Sequence, residues 1–100
     1  MKRYSIIMEL NKCLVCNEKH ELHIHEVFFG TGKRKLSIED GMCVTLCPFH
    51  HNASNQGVHL NRQLDLQIKR YAQKLWMKYY NKTEKDFIKR YGKSYLEDYD

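Results

Sequence analysis

Leu46-Cys47-Pro48-Phe49-His50-His51-Asn52 is the stretch on which the fold turns. Proline is favoured in the first turn of a helix and disfavoured inside a sheet, so Cys47-Pro48 marks a strand ending and a helix beginning. Cys47 and His50 then form a C-x-x-H pair at that junction, and Cys13-Leu14-Val15-Cys16 supplies a C-x-x-C upstream. Three thiolates and one imidazole close a structural zinc site, because two ligands two residues apart both reach one tetrahedral Zn²⁺. His51 competes with His50 for the fourth position. Asn17, just after the knuckle, tolerates the left-handed backbone that such turns need.

Working outward, residues 22–29 read as a strand. Its period of two puts His23, His25, Val27 and Phe29 on one face and Leu22, Ile24, Glu26 and Phe28 on the other. Residues 30–35 read as a glycine-punctuated turn whose Lys33, Arg34 and Lys35 suit a phosphate backbone, or else a solvated hairpin tip. Residues 37–41 read as a capped helical turn closed by Gly41, and residues 42–46 as a second strand. Beyond a polar, glycine-terminated interruption, Leu64, Ile68, Tyr71, Leu75 and Tyr79 recur at helical spacing, which predicts an amphipathic helix over 62–80 with a basic opposite face. Thr83-Glu84-Lys85-Asp86 fits a capping box for a last helix that buries Phe87, Ile88 and Tyr91 and stops at Gly92. Residues 1–12 read as a short strand or extended arm, and the acidic tail as a fraying end.

The bulk properties narrow the function classes. One hundred residues make one domain with a limited core, which a metal staple would support. Four cysteines in a chain whose start lacks a signal-peptide core are expected to be metal ligands or buried thiols in an intracellular, cytoplasmic protein rather than disulfides. Cys43 reads as a small buried hydrophobe. No apolar run approaches a membrane span, so no membrane partner is expected. A net charge of +5 and pI near 9.0 point to a polyanionic partner, most commonly nucleic acid.

Four of the six histidines, His23, His25, His50 and His51, crowd into two short segments. If His50 closes the zinc site, His51 is left with His25 and His59 for a second group of nitrogen ligands with open positions, as catalysis needs. A divalent ion held there polarises a phosphodiester and stabilises the leaving oxygen beside a base that activates water. His20 reads as a surface residue, and His23 as either ligand support or surface.

A zinc knuckle, a His-rich strand and then L-C-x-x-H-H at a helix start resemble the HNH, or ββα-metal, endonucleases on a treble-clef scaffold. The run from His25-Glu26-Val27-Phe28-Phe29-Gly30 through Arg34-Lys35-Leu36-Ser37 to Cys47-Pro48-Phe49-His50-His51-Asn52 is similar to small phage-encoded HNH proteins, including relatives of the phage recombination-enhancement nucleases. The likeness is close over residues 13 to 60 and loose in the C-terminal helices. It implies that His25 and His51 contact the catalytic metal, usually Mg²⁺ and here Mg²⁺ or Mn²⁺. Where many members have a second histidine as general base this chain has Glu26, and where many have an asparagine before the second strand it has Met42 or Cys43. A glutamate there faces away from His25 on a regular strand, which leaves Glu26 or His23 as the base.

The expectation is therefore a single α+β domain: a zinc-stapled treble-clef or ββα-metal core over residues 13–60 with a helical C-terminal extension. Its expected activity is metal-dependent hydrolysis of DNA, with Lys33, Arg34, Lys35, Lys69, Arg70 and Lys74 holding phosphates. The alternative is a non-catalytic zinc-stapled nucleic-acid-binding module. A protein-interaction zinc domain fits less well with the basic charge and the histidines outside the zinc set.

Overall fold

The computed structural model describes residues 3–96; the acidic residues read as a fraying end, 97–100, lie outside them. Strand β1 (His23–Glu26) pairs antiparallel with β2 (Cys43–Leu46), His23 opposite Leu46 and Glu26 opposite Cys43. Helix α1 (Lys33–Asp40) connects them, and α2 (Pro48–His51), α3 (Arg62–Tyr79) and α4 (Glu84–Tyr91) follow. This is a small α+β fold, and no helix among the described residues is long and apolar enough to cross a membrane.

The first strand is shorter than the alternation over 22–29 suggests, and Ser37 is the reason. Its hydroxyl, fully buried, accepts from the Phe28 N–H at 3.0 Å and donates to the Phe28 carbonyl at 2.7 Å, so Phe28 leaves the ladder satisfied by a side chain. Ser37 is thus a tie between α1 and β1, not a helix cap.

The cationic run lies in a helix. Lys33, Arg34 and Lys35 form the first turn of α1 behind a left-handed Gly32 that offers no side-chain cap. The run reads as a loop because Gly30 and Gly32 punctuate it, and the helix forms even though cations at its N-terminus oppose the macrodipole. Gly41 closes α1 as expected, at φ 72°, and a Cβ there would stand 2.6 Å from the Tyr4 ring. Residues 4–8 form no strand. The Ser5 hydroxyl accepts from the N–H groups of Ile7 and Met8 and folds the arm into a turn, while the Ile6 N–H donates to the Gly41 carbonyl.

Phe28 from the hairpin meets Phe87, Tyr91 and Tyr95, with ring centroids 5.2, 4.7 and 5.5 Å away. Helix α3 turns Leu66, Ile68, Ala72, Gln73 and Trp76 inward. Tyr71 and Tyr79, expected on the buried face, are 48% and 64% exposed. Polar Gln73 takes the inward position because both ends of its amide are matched, donating to Ser94 Oγ at 3.0 Å and accepting from the Tyr95 N–H at 2.7 Å. The Thr83–Asp86 capping box starts α4 and Gly92 stops it; Phe87 and Tyr91 are buried as expected, but Ile88 is exposed.

Asp40 joins the helices. Its carboxylate accepts from Arg90 Nε at 2.6 Å and Nη2 at 2.8 Å, and from Trp76 Nε1 and Tyr91 Oη, both at 2.8 Å. Its backbone carbonyl accepts from Tyr80 Oη.

Candidate metal centre

Two groups of metal-ligating side chains meet at the dipeptide His50-His51. The first comprises Cys13, Cys16, Cys47 and His50, whose donor atoms all lie within 4.8 Å of one another. Cys47 Sγ is 3.4 Å and Cys13 Sγ 3.8 Å from His50 Nδ1, and Cys16 Sγ is 3.7 Å from Cys47 Sγ. Bonds of about 2.3 Å to sulfur and 2.0 Å to nitrogen around a tetrahedral zinc put neighbouring donors about 3.5–3.8 Å apart, so this set fits the ion. His50, rather than His51, occupies the fourth position.

Local structure explains the placement. The knuckle turns through Asn17 at φ 66°, its N–H returning to the Cys13 carbonyl, and the Leu14 N–H donates to the Thr45 carbonyl, hanging the knuckle on β2. Burial opposes ionisation of Cys13, but the N–H groups of Cys47, Cys16 and Val15 outweigh it and hold its thiol below the ordinary range. Cys43 faces away; burial pushes its thiol up to about 11, as suits a packed residue rather than a ligand.

The second group comprises His25, His51 and His59, again with donor atoms within 4.8 Å of one another. Strand β1 supplies His25, α2 supplies His51, and His59 is brought back by its N–H to the His51 carbonyl. That return needs Gly57, where a Cβ would stand 2.7 Å from the His51 carbonyl carbon and oxygen. In the sequence Gly57 marks only the end of a polar run, because the backbone it must approach, at His51, is brought to it by the fold. His51 and His59 bring their Nε2 atoms to 3.2 Å. The ring of Phe29 walls the group, 5.6 Å from His25 and 5.3 Å from His59.

His25 is 3% exposed, and its Nε2 is buried without a hydrogen-bond partner. An orphaned buried nitrogen calls for an explanation, and a metal ion is the partner that the neighbouring imidazoles suit. Burial foremost, then the positive charge that His51 and His59 would carry, Lys69 and Arg34 push its pKa down to about 3. It is neutral at pH 7, as a ligand must be. His51 is held below the ordinary histidine range by burial, then by His59 and His23.

Among the expected bases, neither stands ready. Glu26 is held by Arg3 Nε at 3.1 Å and Arg34 Nε at 3.5 Å, and it forms no hydrogen bond to a histidine among the described residues. His23 Nδ1 lies 2.8 Å from His51 Nδ1. If His51 offers its Nε2 lone pair to a metal, its Nδ1 carries the proton and donates to His23, so that His23 Nε2 is itself protonated. His23 then fixes the His51 tautomer and cannot take a proton at Nε2.

The expected phosphate-binding cations are not one patch. Lys69 is tied to Asp65 at 2.7 Å and lies over the Phe29 ring at 4.3 Å, and Arg34 pairs with Glu26. Arg70 is half-buried, whereas Lys35 and Lys74 are exposed.

Compared with known proteins, the chain matches no family model, no characterised protein and no solved structure.

The His25 burial has a consequence for acid stability. An unfolded histidine titrates near 6.5 while folded His25 stays neutral to about pH 3, so stability is fully present above 6.5 and falls as acid protonates the unfolded chain. His25→Asn removes that term. Urea unfolding of zinc-loaded protein at pH 7.5 and 5.5 should show wild type losing about 1.4 kcal/mol more than the variant. Equal losses would mean that His25 is protonated in the fold.

Proposed function

We propose that this protein is a metal-dependent DNA endonuclease of the ββα-metal type on a treble-clef scaffold. Zinc at Cys13, Cys16, Cys47 and His50 is structural, and a second divalent ion at His25, His51 and His59 is catalytic. The observation that carries this reading is the pairing of a closed four-ligand group with an open three-ligand group across one dipeptide. Structural sites fill their coordination, whereas catalytic ones keep a position for water or substrate.

Three imidazoles without a carboxylate suit Mn²⁺ or a later transition ion better than Mg²⁺, which prefers oxygen ligands and retains its waters. When bound, the ion supplies Lewis acidity toward a phosphodiester and lowers the pKa of a bound water. The protein's part is to hold three neutral imidazoles in one tautomer, with His23 fixing His51, and to wall the site with Phe29. Glu26 serves as the anion that ties Arg3 and Arg34 to β1. Glu26→Gln should therefore lower cleavage less than about 10-fold, against the 10² to 10⁴-fold typical of a lost general base. A loss within that larger range, with divalent-metal and DNA binding retained, would return the base to Glu26.

One observation favours a non-catalytic nucleic-acid-binding module instead: neither Glu26, paired with Arg3 and Arg34, nor His23, bonded to His51, is free to activate water. Incubating zinc-loaded protein with supercoiled plasmid and Mn²⁺, Mg²⁺, Ni²⁺ or no added metal separates the two. Nicked or linear product with an added ion supports the endonuclease, and intact plasmid under every condition supports the module.

A further inference from the structure

We infer that the outward face of α3 is a docking surface for single-stranded DNA, with Tyr71 and Tyr79 as stacking platforms and Lys74 and Lys78 as phosphate contacts. Tyr71, Leu75 and Tyr79 follow one another at four-residue steps along the helix, and both tyrosines stand in solvent. Ile6 of the N-terminal arm closes the row, so that Ile6, Leu75, Lys78 and Tyr79 line an open groove of about 350 Å³. Lys74 and Lys78 are exposed and enter no ion pair among the described residues. The one acid of α3, Asp65, is on another side of the helix and is bound to Lys69.

Charge and ring chemistry select the occupant. A face with two cations, two exposed aromatic rings and no acid matches a polyanion that offers π-surfaces, and unpaired bases offer them where a duplex keeps its bases stacked. A second copy of this chain fits poorly, because two-fold pairing would bring Lys74 and Lys78 toward their own counterparts. A lipid surface fits poorly too, since interfacial helices present a broad apolar face and this row holds two tyrosines and a half-buried leucine. At about 1.5 Å per residue, Tyr71 and Tyr79 stand roughly 15 and 27 Å along α3 from Asn61, two residues after His59. A strand lying on the row thus runs along the helix that starts beside the three-histidine group. The choice of DNA over RNA rests on the endonuclease reading; the stacking surface does not.

The test is fluorescence anisotropy with full-length, zinc-loaded protein, no added divalent ion, and a labelled oligothymidylate of about 20 nucleotides. Tyr71→Ala with Tyr79→Ala should weaken binding roughly 10- to 100-fold while leaving duplex affinity unchanged, and Tyr→Phe at both positions should restore it. Lys74→Glu with Lys78→Glu should lower the log–log salt slope by about 0.7 per lost contact. Circular dichroism on each variant checks the fold, which exposed side chains should not disturb. Unchanged oligothymidylate affinity in the Tyr→Ala variant, or an equal loss on duplex, overturns the proposal. So does tighter binding of oligouridylate, preferential binding to phosphatidylglycerol vesicles, or self-association that the Tyr→Ala change abolishes. Because cleavage is not read, protein that binds through its tyrosines but never nicks plasmid keeps this surface and loses the endonuclease reading. The opposite pattern loses the surface alone.

Discussion

On the proposed endonuclease reading, His25→Ala is expected to leave supercoiled plasmid intact under ionic conditions in which the wild-type protein is expected to nick it. His25 is the most buried of the three clustered histidines, and its Nε2 has no hydrogen-bond partner. Removing it would take one of three ligands from a site whose ion, in the proposed reaction, would contribute several kcal/mol of transition-state stabilisation, so a rate loss of about 10³-fold or more is expected. The variant should still carry one zinc, since His25 is outside the Cys3His group. Elemental analysis with a plasmid time course reads both quantities. Cleavage within 10-fold of wild type, with zinc retained, would remove the three-histidine group from the chemistry.

The second large effect is expected at the staple. Cys47→Ala should unfold the domain, because the Cys47 thiol is a donor of the four-ligand group, 3.4 Å from His50 Nδ1 and 3.7 Å from Cys16 Sγ. Structural zinc contributes about 10–16 kcal/mol of apparent binding free energy in small domains, comparable with or greater than the 5–15 kcal/mol by which most native proteins are stable. Circular dichroism should show loss of helix, and a chelator should do the same to wild type. A Cys47→Ala protein that keeps its helical signal and a cooperative thermal transition would show that the core closes without metal.

The four-ligand group was legible because its chemistry is written in spacing, whereas the three-histidine group draws on three separate segments. C-x-x-C, C-x-x-H and Pro48 inside the second motif locate a ligand set and a strand-to-helix junction at once, and the structure brings those four side chains together. The Thr83 capping box was legible for the same reason, since its two partners are three residues apart. What escaped reading depends on contacts distant in sequence. Ser37 ends β1 by bonding Phe28, and Gln73 takes an inward position because Ser94 and Tyr95 satisfy its amide. Periodicity could not choose between two faces of α3, because tyrosines suit either one and a glutamine argues against burial until its partners are known. The pairing of Glu26 with Arg3 and Arg34 joins three separate segments, and nothing local to Glu26 announces it.

Asp40 bears on how the molecule breathes. A single carboxylate is shared by Trp76 of α3 with Arg90 and Tyr91 of α4, and it sits at the end of the helix that returns the chain to β2. A terminal helix held only by apolar contact would open on its own, and its amides would exchange with solvent well before those of the core. Here, opening α4 would strip a buried carboxylate of its cationic partner, a cost that local fraying cannot absorb. The last helix and the hairpin that carries His25 therefore belong to one cooperative unit, and their slowest amides should exchange together, at the rate of global unfolding.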